Sequence, residues 1–441
     1  MRSLSAKKTP NRLSVRMAKQ IEYVRISRLK PRDKNARIHT ARQVKQIAHS
    51  IEHFGFVNPI LIDNAYQIIC GHGRVAAAHS IGMADVPAIK IDHLSEEDLR
   101  AYVIADNRLA EIAGWDKDVL AIELQGLNEL DFDIEVTGFS IPEIEVLLDT
   151  ADPVGGDEDE QIPEPAPDCV VTKPSDLWLL GDHQLLCGDA RRQDSFATLL
   201  SGKTAQLIFV DPPYNVQIRG HVSGKGRIKH REFAHASGEK TSPQFTKFLE
   251  ESLGLLAEYS ADGSIHFVCS DWRHLDEMLA AGRRTYRELK NLVVWHKTNA
   301  GMGSFYRSQH ELIFVWKHGR GKHTNNVELG RHGRNRTNVW TYGGANSFGS
   351  RRLETLAMHP TVKPVALVAD AIRDCSRRGD LVLDSFGGSG TTLIACERTH
   401  RKARLVEIDP IYCDQTIRRW QKLTGRTAVN AFTGLPFTEP N

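Results

Sequence analysis

Apolar residues recur at intervals of three and four between positions 41 and 54, which is the spacing of an amphipathic helix. Thr40 and Gln43 form a T-x-x-Q capping box at the start of this run, and Gly55 supplies a left-handed cap at its end. The pattern therefore predicts a helix over residues 41–54.

A β-hairpin is predicted after this helix. Two short apolar runs, 59–62 and 66–70, are separated by the turn-forming residues 63–65. The second run leads into the turn Gly71-His72-Gly73-Arg74 and then into a short helix that stops at Gly82. Such a turn presents backbone N–H groups and the Arg74 guanidinium at a helix start, which suits a phosphate.

Apolar strands alternate with helical segments in the second half of the chain. Residues 206–210 form one buried strand, 381–384 form another, and a third ends at Glu407 after a helical run. This alternation is typical of an α/β fold with a mostly parallel sheet, in which ligands bind where the strands end. We expect the functional site at that edge.

Length and composition narrow the class of protein. The 441 residues indicate two or three domains. No apolar run approaches the length of a membrane-spanning helix, which predicts a soluble, cytoplasmic protein. The seven cysteines are scattered without a C-x-x-C pair, so we expect reduced thiols and no metal site. Residues 1–20 are basic without an apolar stretch, which predicts a disordered tail rather than a signal peptide.

Charge is distributed unevenly along the chain. Residues 151–168 hold seven acids, four prolines and no Lys or Arg, which predicts an extended linker and makes residues 169–441 separable. Residues 317–352 hold eight Lys and Arg, one acid and three aromatic residues. This second composition fits a surface for a polyanion, and it fits an ordinary solvated face about as well.

The tetrapeptide Asp211-Pro212-Pro213-Tyr214 follows the strand 206–210 and has the groups needed to bind an exocyclic amine. Its two prolines make the loop rigid and remove two N–H donors. The Asp211 carboxylate and a proline carbonyl would accept from the amine and make its nitrogen more nucleophilic. Tyr214 would offer a flat face to the base.

The glycine-rich residues 385–392 have the composition of a nucleotide-binding loop. Three glycines let the backbone approach a ligand, and Glu407 lies where an acid can bind ribose hydroxyls. For this loop alone, NAD binding remains a competing interpretation. Its combination with the Asp-Pro-Pro-Tyr motif removes most of that ambiguity.

Together these motifs resemble the DNA amino-methyltransferases that use S-adenosylmethionine, over nearly all of residues 175–425. Further matching segments are LLCGDA at 185–190, HPTVKPVAL at 359–367 and VEIDPIYCD at 406–414. The catalytic motif precedes the cofactor loop, which is the order described as the beta class. The resemblance implies a three-layer α/β methyltransferase domain over residues 169–441, acting on double-stranded DNA.

The resemblance also implies roles for individual residues. The catalytic group would be Asp211, Pro212, Pro213 and Tyr214. Asp189 and Ala190 would hold the adenine ring of the cofactor, and Glu407 its ribose. Lys363 would bind the methionine carboxylate, and Asp384 would orient the loop. The methionine portion would be surrounded by Phe386, Gly387, Gly388, Ser389, Gly390, Thr391 and Thr392. In the basic segment 317–352, the candidate DNA contacts and target-recognition residues are Arg331, Arg334, Arg336, Asn338, Arg351 and Arg352.

Because Asp rather than Ser opens the tetrapeptide, the resemblance points to the N6 amine of adenine, which must leave the duplex to react. A restriction–modification role would be consistent with this activity. Three alternatives remain: N4 of cytosine, an RNA target, and a DNA-binding regulator with an inactive catalytic domain. A homodimer and a protein partner for the N-terminal domain are compatible with the sequence.

The segment from about Ile21 to Leu127 resembles the ParB-like domain of the ParB/sulfiredoxin superfamily, which predicts a small α+β domain over residues 21–150. The matching segments include ISRLKPRDKNAR, QIAHSIEHFGFVNPI, ICGHGRVAAAHSIG and ADNRLAEIAGWD. Partition proteins of the superfamily usually have G-E-R-R at the turn and bind a nucleotide triphosphate there. Here His72 and Gly73 replace two of those residues, which leaves Arg74 as the candidate phosphate contact. Cys70 lies near the catalytic Cys position of sulfiredoxins, and packing is its default role.

Overall fold

The computed structural model describes residues 20–32, 37–130, 132–151, 156, 159–216, 236, 238–298, 300, 305–330, 334–343 and 362–438. The chain divides into two compact units, with the division between Ala151 and Asp152. The predicted basic tail lies outside the described residues apart from Gln20.

The N-terminal unit combines a small mixed sheet with helices. Its strands are β1 (Ile21–Arg25), β2 (Ile60–Ile62), β3 (Ile68–Cys70) and β4 (Asp85–Lys90), arranged in the order β1-β4-β2-β3. Its helices are α1 (Ala41–Phe54), α2 (His72–Ser80), α3 (Glu96–Ile112), α4 (Lys117–Glu129) and α5 (Ile141–Ala151). Short 3-10 turns cover Ile26–Arg28 and Ile134–Thr137.

The local patterns of the N-terminal unit form as the sequence predicts. Helix α1 begins after Thr40, whose Oγ1 accepts a hydrogen bond from the Gln43 amide at 3.1 Å. It ends at Gly55, whose φ is +80°. Strands β2 and β3 pair as an antiparallel hairpin, and α2 starts directly after the turn glycine Gly71.

The C-terminal unit is built on a ten-stranded sheet. Its strands are β5 (Leu177–Leu180), β6 (His183–Cys187), β7 (Ala205–Val210), β8 (Ser260–Ser270), β9 (Glu288–Lys297), β10 (His310–Lys317), β11 (Val339–Tyr342), β12 (Leu381–Asp384), β13 (Lys402–Glu407) and β14 (Val429–Asn430). The strand order is β11-β9-β10-β8-β7-β12-β13-β6-β5-β14. The five central strands β8, β7, β12, β13 and β6 are parallel, and antiparallel pairs flank them on both sides.

Helices cover both faces of this sheet. They are α6 (Gln193–Leu200), α7 (Ser242–Glu258), α8 (Leu275–Thr285), α9 (Val365–Cys375), α10 (Thr391–Thr399) and α11 (Pro410–Thr424), with 3-10 turns at Trp272–His274 and Glu328–Gly330. Apolar side chains of α6, α7 and α8 form one buried layer against the sheet, and those of α9, α10 and α11 form the other. This arrangement confirms the predicted three-layer α/β domain with a mostly parallel sheet.

The structure differs from the predicted linker in one part, residues 159–163. Asp159 is 3% exposed and Ile162 is 9% exposed, so both are packed rather than extended in solvent. Asp159 Oδ1 accepts from Arg398 Nε at 2.5 Å, and its carbonyl accepts from Arg419 at 2.8 Å. The acidic composition that suggested a solvated linker instead provides partners for arginines of the C-terminal unit.

Two further expectations concern membranes and thiols. None of the described helices is both long and apolar enough to cross a membrane. All seven cysteines are free thiols, and five of them are buried.

Candidate active site

Four neighbouring parallel strands, β7, β12, β13 and β6, end at one edge of the large sheet, and their following loops surround a cavity. The cavity brings together residues from across the C-terminal unit that the sequence assigned to catalysis or cofactor binding. They are Asp189, Ala190, Asp211, Pro212, Pro213, Tyr214, Lys363, Asp384, Phe386, Gly387, Gly388, Ser389, Thr391, Thr392 and Glu407. Gly390 lies just outside, at the start of α10.

The Asp-Pro-Pro-Tyr loop begins directly at the end of β7. Tyr214 folds back so that its hydroxyl lies 2.6 Å from Asp211 Oδ1. The Asp211 side chain is 24% exposed, so a ligand in the cavity can reach it. The structure therefore presents the Asp211 carboxylate to the cavity, in contact with the Tyr214 hydroxyl.

Lys363 lines the cavity beside the glycine-rich loop and also contacts Asp211, and its expected contact with the methionine carboxylate stays a prediction. Its ammonium donates to Asp211 Oδ2 at 2.5 Å and to the Tyr214 hydroxyl at 3.1 Å, and the side chain is 4% exposed. It also lies 3.0 Å from Glu311 Oε2. Lys363 thus contacts the catalytic loop of this structure.

Glu311, at the start of β10, belongs to the same cluster and was missed by the sequence analysis. Its Oε2 lies 3.1 Å from the Tyr214 hydroxyl, and its Oε1 pairs with the ammonium of Lys297 at the end of β9. The one signal in the sequence was an acid at the second position of a mainly apolar strand. Its neighbours come from β7 and β9, which the sequence alone does not bring to β10.

These charges have opposing effects on the pKa values of the two acids. Burial raises the pKa of Asp211, and the Lys363 ammonium opposes this effect. Burial also favours a raised pKa for Glu311, but the Lys363 and Lys297 ammonium groups outweigh it and lower the pKa to about 2. Glu311 is therefore ionised at neutral pH.

The predicted cofactor loop follows β12 and is held by two buried acids. Asp384 accepts from the Phe386 amide at 2.9 Å and from the Thr392 hydroxyl at 2.6 Å, and its orienting role stays a prediction. Glu407 ends β13 and accepts from the Gly388 amide at 2.7 Å. Burial raises the pKa of both acids to about 7.

Asp189, expected at the adenine ring of the cofactor, lies in the loop after β6. Its carboxylate accepts from the Arg191 backbone amide at 2.9 Å and from the Arg191 guanidinium at 2.8 Å. The guanidinium holds the carboxylate in place at the rim of the cavity. Ala190, beside it, is buried in the cavity wall.

Two observations show that the cavity fits a nucleotide-like cofactor. The buried Ser385 Oγ has no hydrogen-bond partner among the described residues, and Ser385 lines the cavity. A Cβ added to Gly388 would approach no protein atom closer than 3.8 Å, so the space beside this glycine belongs to the cavity. A ligand bound there would pack against the glycine backbone and could satisfy the serine hydroxyl.

The described part of the basic segment, residues 317–330 and 334–343, includes two arginines that pair with acids of the same domain. Arg334 pairs with Asp374 at 2.7 Å and Arg336 with Asp370 at 2.5 Å, and the two arginine side chains are only 8% and 17% exposed. Both acids belong to α9, so these arginines anchor the segment to the domain. These ion pairs engage both guanidinium groups, and the DNA contacts expected of Arg334 and Arg336 stay predictions.

The other candidate DNA residues have varied positions. Asn338 is exposed beside β9, while Arg331, Arg351 and Arg352 lie outside the described residues. Strand β10 starts at the cavity edge and ends at Lys317, about 24 Å away at the usual rise per residue. The exposed Arg320 and Lys322 therefore lie at the far edge of the sheet.

The turn in the N-terminal unit is more tightly packed than a phosphate loop needs to be. A Cβ on Gly73 would lie 2.9 Å from the His39 ring, so His39 fills the space beside this position. Burial and a hydrogen bond with Asp106 raise the pKa of Cys70 to about 12, which keeps the thiol protonated at neutral pH. Packing is therefore the better description of Cys70.

Three families match the chain. Residues 205–418 match the DNA methylase family, residues 12–107 match the ParB N-terminal domain, and residues 118–174 match the ParB-methyltransferase HTH domain. The helix-turn-helix match was not predicted from the sequence. It includes the whole predicted linker, residues 151–168, so that acidic segment lies within a matched domain.

Relatives cover both halves of the chain. The ParB-like nuclease domain-containing protein YnaK of Escherichia coli (strain K12) is 45% identical over 78 residues, which are 18% of this chain and 90% of that protein. Type II methyltransferase M2.MboI of Moraxella bovis is 22% identical over 52% of this chain and 85% of its own length. A putative DNA modification methylase from Thermus thermophilus, crystallised with S-adenosyl-L-methionine, is 23% identical, covers 55% of this chain and 96% of its own, and has a TM-score of 0.39.

The catalytic motif, the cofactor loop and the family matches agree on one assignment. The fit of the cavity to its cofactor supports the same conclusion. The chain belongs to the N6/N4 DNA methylase family, whose cofactor is S-adenosylmethionine, and it carries a ParB-like N-terminal domain.

Proposed function

We propose that this DNA methyltransferase modifies the N6 amine of adenine at specific sites in double-stranded DNA. The observation that carries the proposal is the Asp211 carboxylate, which faces the cavity formed with the cofactor loop. The related DNA amino-methyltransferases suggest adenine when Asp rather than Ser opens this tetrapeptide. The amine is paired inside the duplex, so the target base must rotate out to reach Asp211.

The chain's own groups act mainly by positioning and charge. The cofactor supplies a methyl group already activated on a sulfonium. Asp211 accepts a hydrogen bond from the amine, and its negative charge stabilises the positive charge that develops on the nitrogen. The rigid prolines keep this acceptor in place, so little reorganisation is needed during the transfer. Among the described residues, no group of His, Cys, Asp or Glu is arranged to hold a metal ion.

The experiment that tests the role of Asp211 uses Asp211→Ala in the full chain. We expect methyl transfer to DNA to fall at least about 100-fold, as when another preorganised transition-state contact is removed. Affinity for S-adenosylmethionine should change little, because Asp211 acts on the amine. Tritiated methyl transfer and calorimetric titration on one preparation measure the two effects. Asp194→Ala, which removes an exposed acid paired with Arg192, is the control.

The product identifies the target base. Mass spectrometry of nucleosides from DNA modified by the wild-type chain should show N6-methyladenine, and long-read sequencing should place it at one recurring sequence. N4-methylcytosine would overturn the adenine assignment while keeping the enzyme class. Methylation of RNA alone, or undiminished turnover by Asp211→Ala, would contradict the proposal as a whole.

A further inference from the structure

Both oxygens of the Asp211 carboxylate are already engaged by groups of the same domain. Oδ1 lies 2.6 Å from the Tyr214 hydroxyl, and Oδ2 accepts from the Lys363 ammonium at 2.5 Å. An incoming amine that donates to Asp211 must share the carboxylate with these groups. The Lys363 ammonium is an unfavourable neighbour, because the attacking nitrogen itself becomes positively charged.

A second carboxylate lies within reach of both donors. Glu311 Oε2 is 3.0 Å from the Lys363 ammonium and 3.1 Å from the Tyr214 hydroxyl. A hydroxyl has one proton and can donate fully to only one acceptor at a time. Lys363 and Tyr214 can therefore shift from Asp211 towards Glu311 without leaving the cluster.

Glu311 has the environment that an alternative acceptor requires. Its side chain is 13% exposed, and Lys297 pairs with its other oxygen. The two ammonium groups keep it ionised, so it can hold Lys363 by charge as well as by hydrogen bonding. Two acids and two lysines also make the cluster neutral overall.

We propose that Glu311 is a positioning residue that receives Lys363 and the Tyr214 hydroxyl when the target amine reaches Asp211. This inference rests on the proposed function, in which Asp211 accepts the amine. As the amine nitrogen bonds to the methyl carbon, the carbon–sulfur bond breaks and the cofactor leaves as the thioether. The extra N–H proton departs along the hydrogen bond to Asp211, whose carboxylate passes it to water.

The test replaces Glu311 by Gln in the full chain, which keeps the size of the side chain and removes its charge. We expect kcat for tritiated methyl transfer to fall at least tenfold, on a duplex carrying the mapped site. Affinity for S-adenosylmethionine should stay within about twofold of the wild type, because Glu311 does not line the cofactor cavity. Glu288→Gln, an exposed acid paired with Lys290 on β9, is the matched control.

The pH profile separates this role from a merely structural one. Glu311 is a negative neighbour of Asp211, so its neutralisation should favour the ionised form of Asp211. The acid limb of kcat/KM should therefore move to lower pH in Glu311→Gln, although turnover falls. A structural defect would lower the rate without moving this limb.

A double variant provides the sharpest outcome. If Glu311 draws Lys363 away from Asp211, removing that ammonium should make Glu311 less necessary. Glu311→Gln combined with Lys363→Met should therefore turn over faster than Glu311→Gln alone. A double variant that is no faster, or a Glu311→Gln enzyme with wild-type kcat, would overturn the inference.

Folding and the proposed function are checked separately. If Glu311→Gln melts well below the wild type, Glu311→Asp serves instead, because it keeps the charge but withdraws it from Lys363 and Tyr214. It should show a smaller loss of kcat than Gln. If turnover depends strongly on Asp211 but is normal in both Glu311 variants, only the proposed role of Glu311 is refuted. Turnover independent of Asp211 would refute the proposed function.

Discussion

At the scale of single residues, Glu407 has two properties that would make cofactor binding sensitive to pH if it holds the ribose, as the resemblance implies. It is 7% exposed, and burial raises its pKa to about 7. Only the ionised carboxylate can accept from two ribose hydroxyls at once while holding the Gly388 and Asp409 amides. In that role, Glu407 would have to lose its proton near neutral pH before the cofactor binds.

We expect affinity for S-adenosylmethionine to fall as the pH is lowered from 8 to 6, because the protonated form of Glu407 gains population below its raised pKa. Calorimetric titrations at three pH values measure the slope. Glu407→Gln should bind more weakly at pH 8 and show a flatter dependence. Asp384, whose pKa is also about 7, accounts for any slope that remains. Equal slopes in the two proteins would remove Glu407 from the ribose site.

At the scale of elements, the loop from β12 to α10 contains two glycines with different surroundings. Gly390 has a φ of +80°, and a Cβ there would lie 2.6 Å from Thr416 of α11. Gly388 has a φ of +51° and faces the cavity. One glycine allows the loop to pack against a helix, and the other leaves room for a ligand.

Alanine substitutions should therefore separate stability from binding. Gly390→Ala should lower the free energy of unfolding by about 1–3 kcal/mol, since both the backbone conformation and Thr416 oppose a side chain. Gly388→Ala meets only the backbone cost, about 1–2 kcal/mol, and should weaken cofactor binding about tenfold or more. Thermal melting without cofactor and calorimetric titration distinguish them. A Gly390→Ala protein that melts like the wild type would contradict this division, as would normal binding by Gly388→Ala.

The strands of the C-terminal unit were largely predictable, because buried parallel strands have continuous apolar sequences. Both β7 and β12 follow this pattern and carry their motifs directly after them. The contacts between motifs were not predictable in the same way. Lys363 and Asp211 are 152 positions apart, and their pairing depends on how α9 begins above the end of β7. Sequence patterns fix the order of the elements but not such long-range side-chain geometry.

The basic segment shows why composition alone assigns surfaces poorly. Arg334 and Arg336 count as positive charges in any sequence window. Whether their guanidinium groups face solvent or pair within the domain depends on nearby acids. Asp370 and Asp374 are one helical turn apart on α9 and face both arginines. The acids were visible in the sequence. Their position against the basic segment required the fold.

At the scale of the whole molecule, residues 159–163 of the predicted linker contact elements that line the cavity. Arg419 of α11 donates to the carbonyl of Asp159 at 2.8 Å and to the carbonyl of Ser389 in the cofactor loop at 3.0 Å. Glu160 accepts from the amide of Val365, two residues after Lys363, at 2.8 Å. The segment thus supports both sides of the cavity.

A fragment that begins at residue 169 should consequently be less stable, and bind the cofactor less tightly, than one that begins at residue 156. Loss of the segment leaves the Val365 amide and the Arg419 guanidinium without these partners, and each such loss costs about 1–3 kcal/mol. We expect the 169–441 fragment to melt several degrees lower, since about 1 kcal/mol corresponds to roughly 2–4 °C for a unit of this size. Its affinity for S-adenosylmethionine should also fall.

Both fragments lack most of the helix-turn-helix region, so cofactor binding and melting compare them without the added effect of DNA contacts. In the full chain, Glu160→Ala removes the acceptor of the Val365 amide and should reproduce part of the loss. Two fragments with equal melting temperatures and equal cofactor affinity would show that residues 159–163 only rest on the domain, and that the chain can be divided at residue 169 without loss.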